Sequence, residues 1–216
     1  MKKIFFLLAI SVCTVGCGPQ QSVELSTYHA DGRAKPKVAF IPVIDSSDST
    51  LPWSLSEEFT DGIEKRFLRH SNLFLLNEQK AITAKKNLNP FIDTDSFVKE
   101  IDHSAEFVVF VELSEHRMTA KATESLFNVK NNPSYQLNMS VKVKVLDVRH
   151  DQPRTILQEL FTENYTIPWQ LSSVDYEKTS WGKTAYFISP IGLAHAGLIR
   201  KISSQIEDYI LLAKTR

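Results

Sequence analysis

Two unbroken apolar runs limit this chain more than any other feature. They are Val38-Ala39-Phe40-Ile41-Pro42-Val43-Ile44 and Phe107-Val108-Val109-Phe110-Val111, the second entered through Ala105-Glu106. A strand with one wet face alternates apolar and polar residues. These runs do not alternate, so each reads as a strand covered on both faces. Pro42 lacks an N–H donor and points to an edge or a bulge within the first run. Covered strands need helices, and the sequence supplies them. Ser54-Leu55-Ser56-Glu57 fits a capping box, and Leu55, Phe59, Ile63 and Phe67 follow at four-residue spacing. That predicts a helix over 55–69, with Asp45 to Thr50 as the loop before it.

The second half has a different rhythm. From Tyr135 to Val148, Leu137, Met139, Val141, Val143 and Val145 share one face, and Asn138, Ser140, Lys142 and Lys144 share the other. This is the pattern of an antiparallel strand with one wet face. Residues 149–153 read as a turn, and 155–165 as the hairpin partner. Ser189-Pro190 has the residues favoured at an N-cap and at the first helical position. Ile191, Ala194, Leu198, Ile202, Ile206 and Tyr209 then form one stripe. Shorter elements are expected at 72–76 (strand), 78–86 and 95–102 (helices), and the strand from Glu106 continues to about Ala120. The order β-α-β-α-β-β-β-α predicts a single α/β domain over residues 38–216. Its sheet is mixed, parallel at first and antiparallel in a late hairpin, with flanking helices and a long C-terminal helix.

The N-terminus reads as targeting. Met1-Lys2-Lys3 precedes an apolar run from Ile4 to Val12, too short for a membrane span and the right length for a secretory signal. Thr14-Val15-Gly16-Cys17 resembles a bacterial lipobox. The resemblance implies a signal peptide over 1–16 and lipidation of Cys17, so that the membrane becomes a partner through the anchor. Gly18 after the cysteine resembles the outer-membrane sorting pattern, which implies an outer-membrane location on the periplasmic face. Residues 17–37 then form the lipidated N-terminus and a polar tether, carrying Pro19, Gly32 and Pro36.

Charge excludes one class of partner. Lys+Arg and Asp+Glu are equal at 25 each, so no nucleic-acid binding through bulk basic charge is expected. Seven glycines are too few for Gly-rich phosphate cradles. Neither H-E-x-x-H nor G-x-S-x-G occurs. Gly182-Lys183-Thr184 has Glu177 where a phosphate loop needs its first glycine. His103 and His116 flank the third strand with no metal-ligand spacing and read as surface or loop residues. His195 reads as a half-buried packing residue beside the C-terminal stripe. Glu57, Glu58 and Asp61 sit where acids favour the positive end of a helix dipole. No catalytic residue, metal or cofactor is expected. The remaining feature is an aromatic stretch holding Trp169, Tyr176, Trp181 and Tyr186 in a polar context. These residues are either anchors for a protein partner or packing under the last helix.

The opening V-A-F-I-P-V, the step Arg66 to Leu76, the entry Ala105-Glu106-Phe107-Val108-Val109 and the ending Val143-Lys144-Val145-Leu146-Asp147-Val148 resemble the group of envelope domains that includes LpoB, CsgG and the N-terminal domain of TolB. The whole chain also resembles a chlamydial lipoprotein family with no assigned activity. The resemblance implies a non-catalytic, lipid-anchored protein whose periplasmic domain binds a periplasmic or membrane protein, in cell-envelope assembly. Two other expectations stand beside it. One is a hydrolase of envelope polymers with carboxylates assembled only by the fold. The other is a secretion or pore component, against which Asn131, Asn132 and Pro133 in the segment 117–136 count.

Overall fold

A computed structural model describes residues 27–70, 72–76, 91, 98, 104–121, 134–171 and 175–215. Cys17 and the expected helices at 78–86 and 95–102, apart from Val98, lie outside them.

Six strands form one mixed sheet: β1 (Lys37–Phe40), β2 (Ile44–Asp45), β3 (Phe74–Leu75), β4 (Phe107–Lys121), β5 (Ser134–Asp147) and β6 (Arg154–Ile167). The order is β3-β1-β4-β5-β6, with β2 also on β4. β1 pairs parallel with β3 and β4, and β2 pairs parallel with β4. The β4–β5 and β5–β6 pairs are antiparallel. The parallel-then-antiparallel plan is as the sequence predicts. The first apolar run, however, is two short strands rather than one. Pro42 lies in the break between them, where no ladder donor is needed.

Helix α1 (Leu55–His70) and helix α2 (Pro190–Lys214) lie on the same side of the sheet. Ser54 Oγ accepts from Glu57 N at 3.2 Å, which is one arm of the expected capping box. Ser189 Oγ accepts from Gly192 N at 3.0 Å, with Pro190 following it. Between helices and sheet, Phe59, Ile63, Leu198, Ile202 and Ile206 meet Val109, Leu113 and the five apolar residues of β5, all fully buried. Tyr209 sits at the margin of the stripe, and Ile210 takes the buried position. A second apolar cluster, Ala39, Ile41, Val108, Phe110 and Leu146, forms the other face of the parallel half, with Leu76, Phe91, Val98 and Val148 packed against it. That accounts for the unbroken runs. Defined structure begins upstream of Val38, inside the stretch expected as tether. Tyr28 bridges Ala34, and Lys35 N donates to Thr27 O at 2.9 Å.

β4 changes phase part way along. Leu113 pairs with Val141, but Glu115 pairs with Ser140, so Ser114 is an extra residue. Such a bulge flips the alternation. Before it the odd residues face the helices; after it His116 and Met118 do.

The start of α2 packs tightly on the 3₁₀ turn Thr184–Ile188 that precedes it. A Cβ on Gly192 would stand 2.1 Å from the backbone oxygen of Tyr186. Alanine is the better helix former by about 1 kcal/mol, but a backbone atom cannot yield as a side chain does. Gly192→Ala should therefore lower stability by about 1–3 kcal/mol in denaturant melts. An unchanged or raised midpoint would show that the turn shifts freely.

Candidate functional site

The sequence of α1 places Glu58 between Leu55 and Phe59 on the inward face, one turn from the start. The carboxylate is buried, so it needs donors. Trp53 Nε1 donates to Oε2 at 2.7 Å, and His195 Nδ1 stands 2.7 Å from Oε1. The Tyr186 hydroxyl donates to the same oxygen. The start of α1 adds its own positive field.

His195 continues the network. Its Nε2 lies 2.9 Å from Nε2 of His116, and His116 Nδ1 lies 3.1 Å from Ser49 Oγ. One set of tautomers satisfies the whole row. Ser49 donates to His116 Nδ1, His116 Nε2–H donates to His195 Nε2, and His195 Nδ1–H donates to ionised Glu58. Three segments far apart in sequence are joined this way: α1 with the loop before it, β4 and the start of α2. The network lies at the carboxyl ends of β1 and β2, where α/β sheets commonly place their sites.

Burial alone would raise the Glu58 pKa. The hydrogen bonds from His195, Tyr186 and Trp53 outweigh it and hold the group below its ordinary value. Tyr186 is pushed up by burial and by the charge of Glu58. Burial lowers His116 from 6.5 to about 4.

Ser49 beside His116 has the outline of a nucleophile and its base. A cleft of about 320 Å³ opens there, between Ser49, Leu51, His116, Arg117, Met118 and Tyr176. A general base works best with a pKa near the operating pH, and burial moves His116 the other way. The row joins α1, β4 and α2 through buried polar contacts. Among the described residues, no group of three or more His, Cys, Asp or Glu is placed to hold a metal ion.

The sequence-predicted site residues fare differently. Cys17 lies outside the described residues. Trp169 opens a 3₁₀ turn, Trp169–Leu171. Tyr176 opens the helical turn Tyr176–Thr179 and is exposed, its ring edge-on to Trp53 at 5.8 Å. Trp181 is half-buried against the main core. Tyr186 is buried on the other edge of Trp53 at 5.7 Å, which is the packing alternative and not the surface anchor. Its hydroxyl is taken by Glu58. His116 and His195 are corrected from surface and half-buried residues to buried ones. Gly182, at φ 89°, serves a left-handed turn. The neighbouring segments do expose apolar side chains. Phe187, Ile188 and Leu193 are 64%, 80% and 58% exposed, and Leu171 is also exposed.

No sequence signal marks Trp53 or Ser49. The inward spacing of Leu55, Glu58 and Phe59 is a signal that could have found Glu58. Nothing marks the bulge that turns His116 inward.

Fold and site together define an α/β domain with a mixed sheet, helices on one face and a buried Glu-His-His row at their junction. The chain belongs to a family of unknown function (DUF7499), whose model it matches over residues 24–214. It is similar to the hypothetical protein CT253 from Chlamydia trachomatis, at 29% identity and a TM-score of 0.60, covering 82% of this chain and 98% of that one. This is in keeping with the chlamydial resemblance. A neuraminyllactose-binding hemagglutinin homolog from Helicobacter pylori shares the fold at 11% identity and a TM-score of 0.51, covering 88% and 97%. Bacterial lipoproteins align more loosely, among them GNA1162 from Neisseria meningitidis at 9% identity and a TM-score of 0.39, covering 78% and 99%. Comparison with curated proteins gives no match.

The depressed pKa of His116 has a consequence for stability. The unfolded chain takes this proton near 6.5 and the folded one near 4. Between those values the unfolded state binds more protons, so stability is complete above pH 6.5 and falls on acidification, by roughly 3 kcal/mol. Glu58 adds its own loss only below its ordinary value of 4.5. Denaturant melts between pH 6.5 and 4.5 should show the slope, and His116→Gln should flatten it. An equal slope in both proteins would place the titration elsewhere.

Proposed function

We propose that this chain is a lipid-anchored outer-membrane protein, held through Cys17, whose periplasmic domain binds a protein partner of envelope assembly and does no chemistry. The observation that carries this reading is the exposed apolar group Phe187, Ile188 and Leu193 at the start of α2. It sits on a turn held rigid from below by Tyr186 and Glu58, and large apolar side chains on an ordered base suit partner contact. Its place also fits. The chain enters the domain at Lys37, whose N–H donates to Glu106 at 3.0 Å, and Lys214 at the other end of α2 pairs with that same Glu106. A helix of 25 residues is about 37 Å long. The apolar group is therefore about that far from the tethered end and directed away from the membrane.

The hydrolase alternative needs free carboxylates facing a cleft; Glu58 spends both oxygens on side-chain donors, and the cleft-lining Asp48 and Glu115 are engaged by Arg117 and Ser140. The pore alternative rests on 117–136, of which 122–133 lie outside the described residues. No described helix is long and apolar enough to cross a membrane.

Cys17→Ser should move the protein from the membrane to the soluble periplasmic fraction. Unchanged membrane partition would end the anchor reading. Phe187→Ala with Ile188→Ala should change stability by no more than about 0.5 kcal/mol. The same pair should remove the partner recovered by crosslinking in cells and mass spectrometry. Capture unchanged from the wild type would move the binding surface elsewhere.

A further inference from the structure

The end of the domain where the chain enters differs in chemistry from the end that carries the apolar turn. Around the entry lie Tyr28 and Lys35, the start of β1 at Lys37, the β5–β6 turn and the last turn of α2. Arg149 ties the last two together, donating to Ala213 O at 2.9 Å. The acids here are mostly spent: Asp31 pairs with Arg33, Asp147 with Arg149 and Glu106 with Lys214. Lys37 and Arg154 are exposed and form no ion pair among the described residues, Lys35 is buried, and Asp151 is an acid left beside them. Apolar surface accompanies this charge. Tyr28, Tyr209 and Leu212 are exposed. Tyr209 and Leu212 share a cleft of about 350 Å³ with Arg149, His150, Arg154 and Ala213. The other end leans acidic, with Asp45, Asp48 and Glu57 around the start of α1 and Arg117 tied to Asp48.

We propose that this basic and aromatic end is a second contact with the membrane, a face that rests on anionic phospholipid headgroups. The inference rests on the lipid anchor proposed above. Nine residues separate Cys17 from Thr27, and such a segment spans at most about 35 Å. The tether keeps this end within about 35 Å of the bilayer. Lysine and arginine are drawn to an anionic surface within about 10 Å at 0.1 M salt. Tyrosine and leucine beside them enter the headgroup layer, where one end of a ring is dry and the other wet. The acidic far end is repelled, so the surface charge and the tether set one orientation. Phe187 and Ile188 then face away from the lipid.

The test uses the mature lipidated protein in vesicles. With Cys17 acylated and Cys13 removed with the signal, single cysteines at Leu212→Cys and Ile188→Cys each carry one fluorophore. In vesicles containing phosphatidylglycerol, a headgroup nitroxide should quench the label at 212 at least threefold more than the label at 188. The difference should shrink in phosphatidylcholine, and with Lys37→Glu plus Arg154→Glu. Equal quenching at both sites, or no response to lipid charge, would overturn the proposal in favour of a free tether. A label at 212 shielded equally in both lipids, with a dimer mass, would overturn it in favour of a second copy of the chain. The unlipidated Cys17→Ser protein supplies the arm that does not depend on the anchor. It should co-sediment with phosphatidylglycerol vesicles at least tenfold more strongly than with phosphatidylcholine, and lose this at 0.5 M salt. If the anchor fails by fractionation, this arm still decides the face.

Discussion

The structure depends on what is done with one buried carboxylate. Glu58 occupies a position in α1 that the spacing of Leu55, Phe59 and Ile63 gives to the core. An unpaired charge there would cost several kcal/mol. Three side chains answer it: Trp53 from the loop ahead, Tyr186 from the 3₁₀ turn and His195 from α2. Each comes from a segment whose own start is set locally, by capping or by a turn. The carboxylate ties the entry to α1, the start of α2 and the turn between the hairpin and α2 to one another. Apolar packing gathers these segments, but it does not choose among closely related arrangements. A hydrogen-bonded row with defined donors and acceptors does.

The same row sets what the surface can present. Tyr186 points down to Glu58, while Phe187 and Ile188 beside it point out. The aromatic stretch is thus divided between two tasks by residues that are adjacent in sequence. Gly192 tightens the arrangement by letting α2 approach the carbonyl of Tyr186. Order below and exposure above belong together, because a side chain on a loose turn would lose more entropy on binding than one already held.

The large elements were legible in the sequence, and the site was not. The strand 135–148, the helix from Ser189-Pro190 and the change from parallel to antiparallel pairing all follow from periodicity and capping, which are local. The split of the first run into β1 and β2 was hinted at by Pro42. Glu58, His116 and His195 lie 137 residues apart at the extremes, and no spacing links them. Each had an ordinary local explanation: a helix-dipole acid, a loop histidine, a residue beside a stripe. Only the third dimension makes them one row. Tyr186 was noticed for its ring, whereas its hydroxyl decides its place.

The extra residue in β4 has a consequence beyond the aim of one imidazole. A strand with a bulge is written in two phases, odd positions inward before Ser114 and even positions inward after it. Taking that residue into the regular ladder, with no bulge, would restore one phase along the whole strand. Arg117 would then turn toward the helices, and His116 would face water. The upstream half would stay as it is. The bulge, rather than any one side chain, is thus the property of this strand that the interior tolerates least. A slip of one residue in a strand of 15 would exchange an imidazole for a guanidinium beneath both helices.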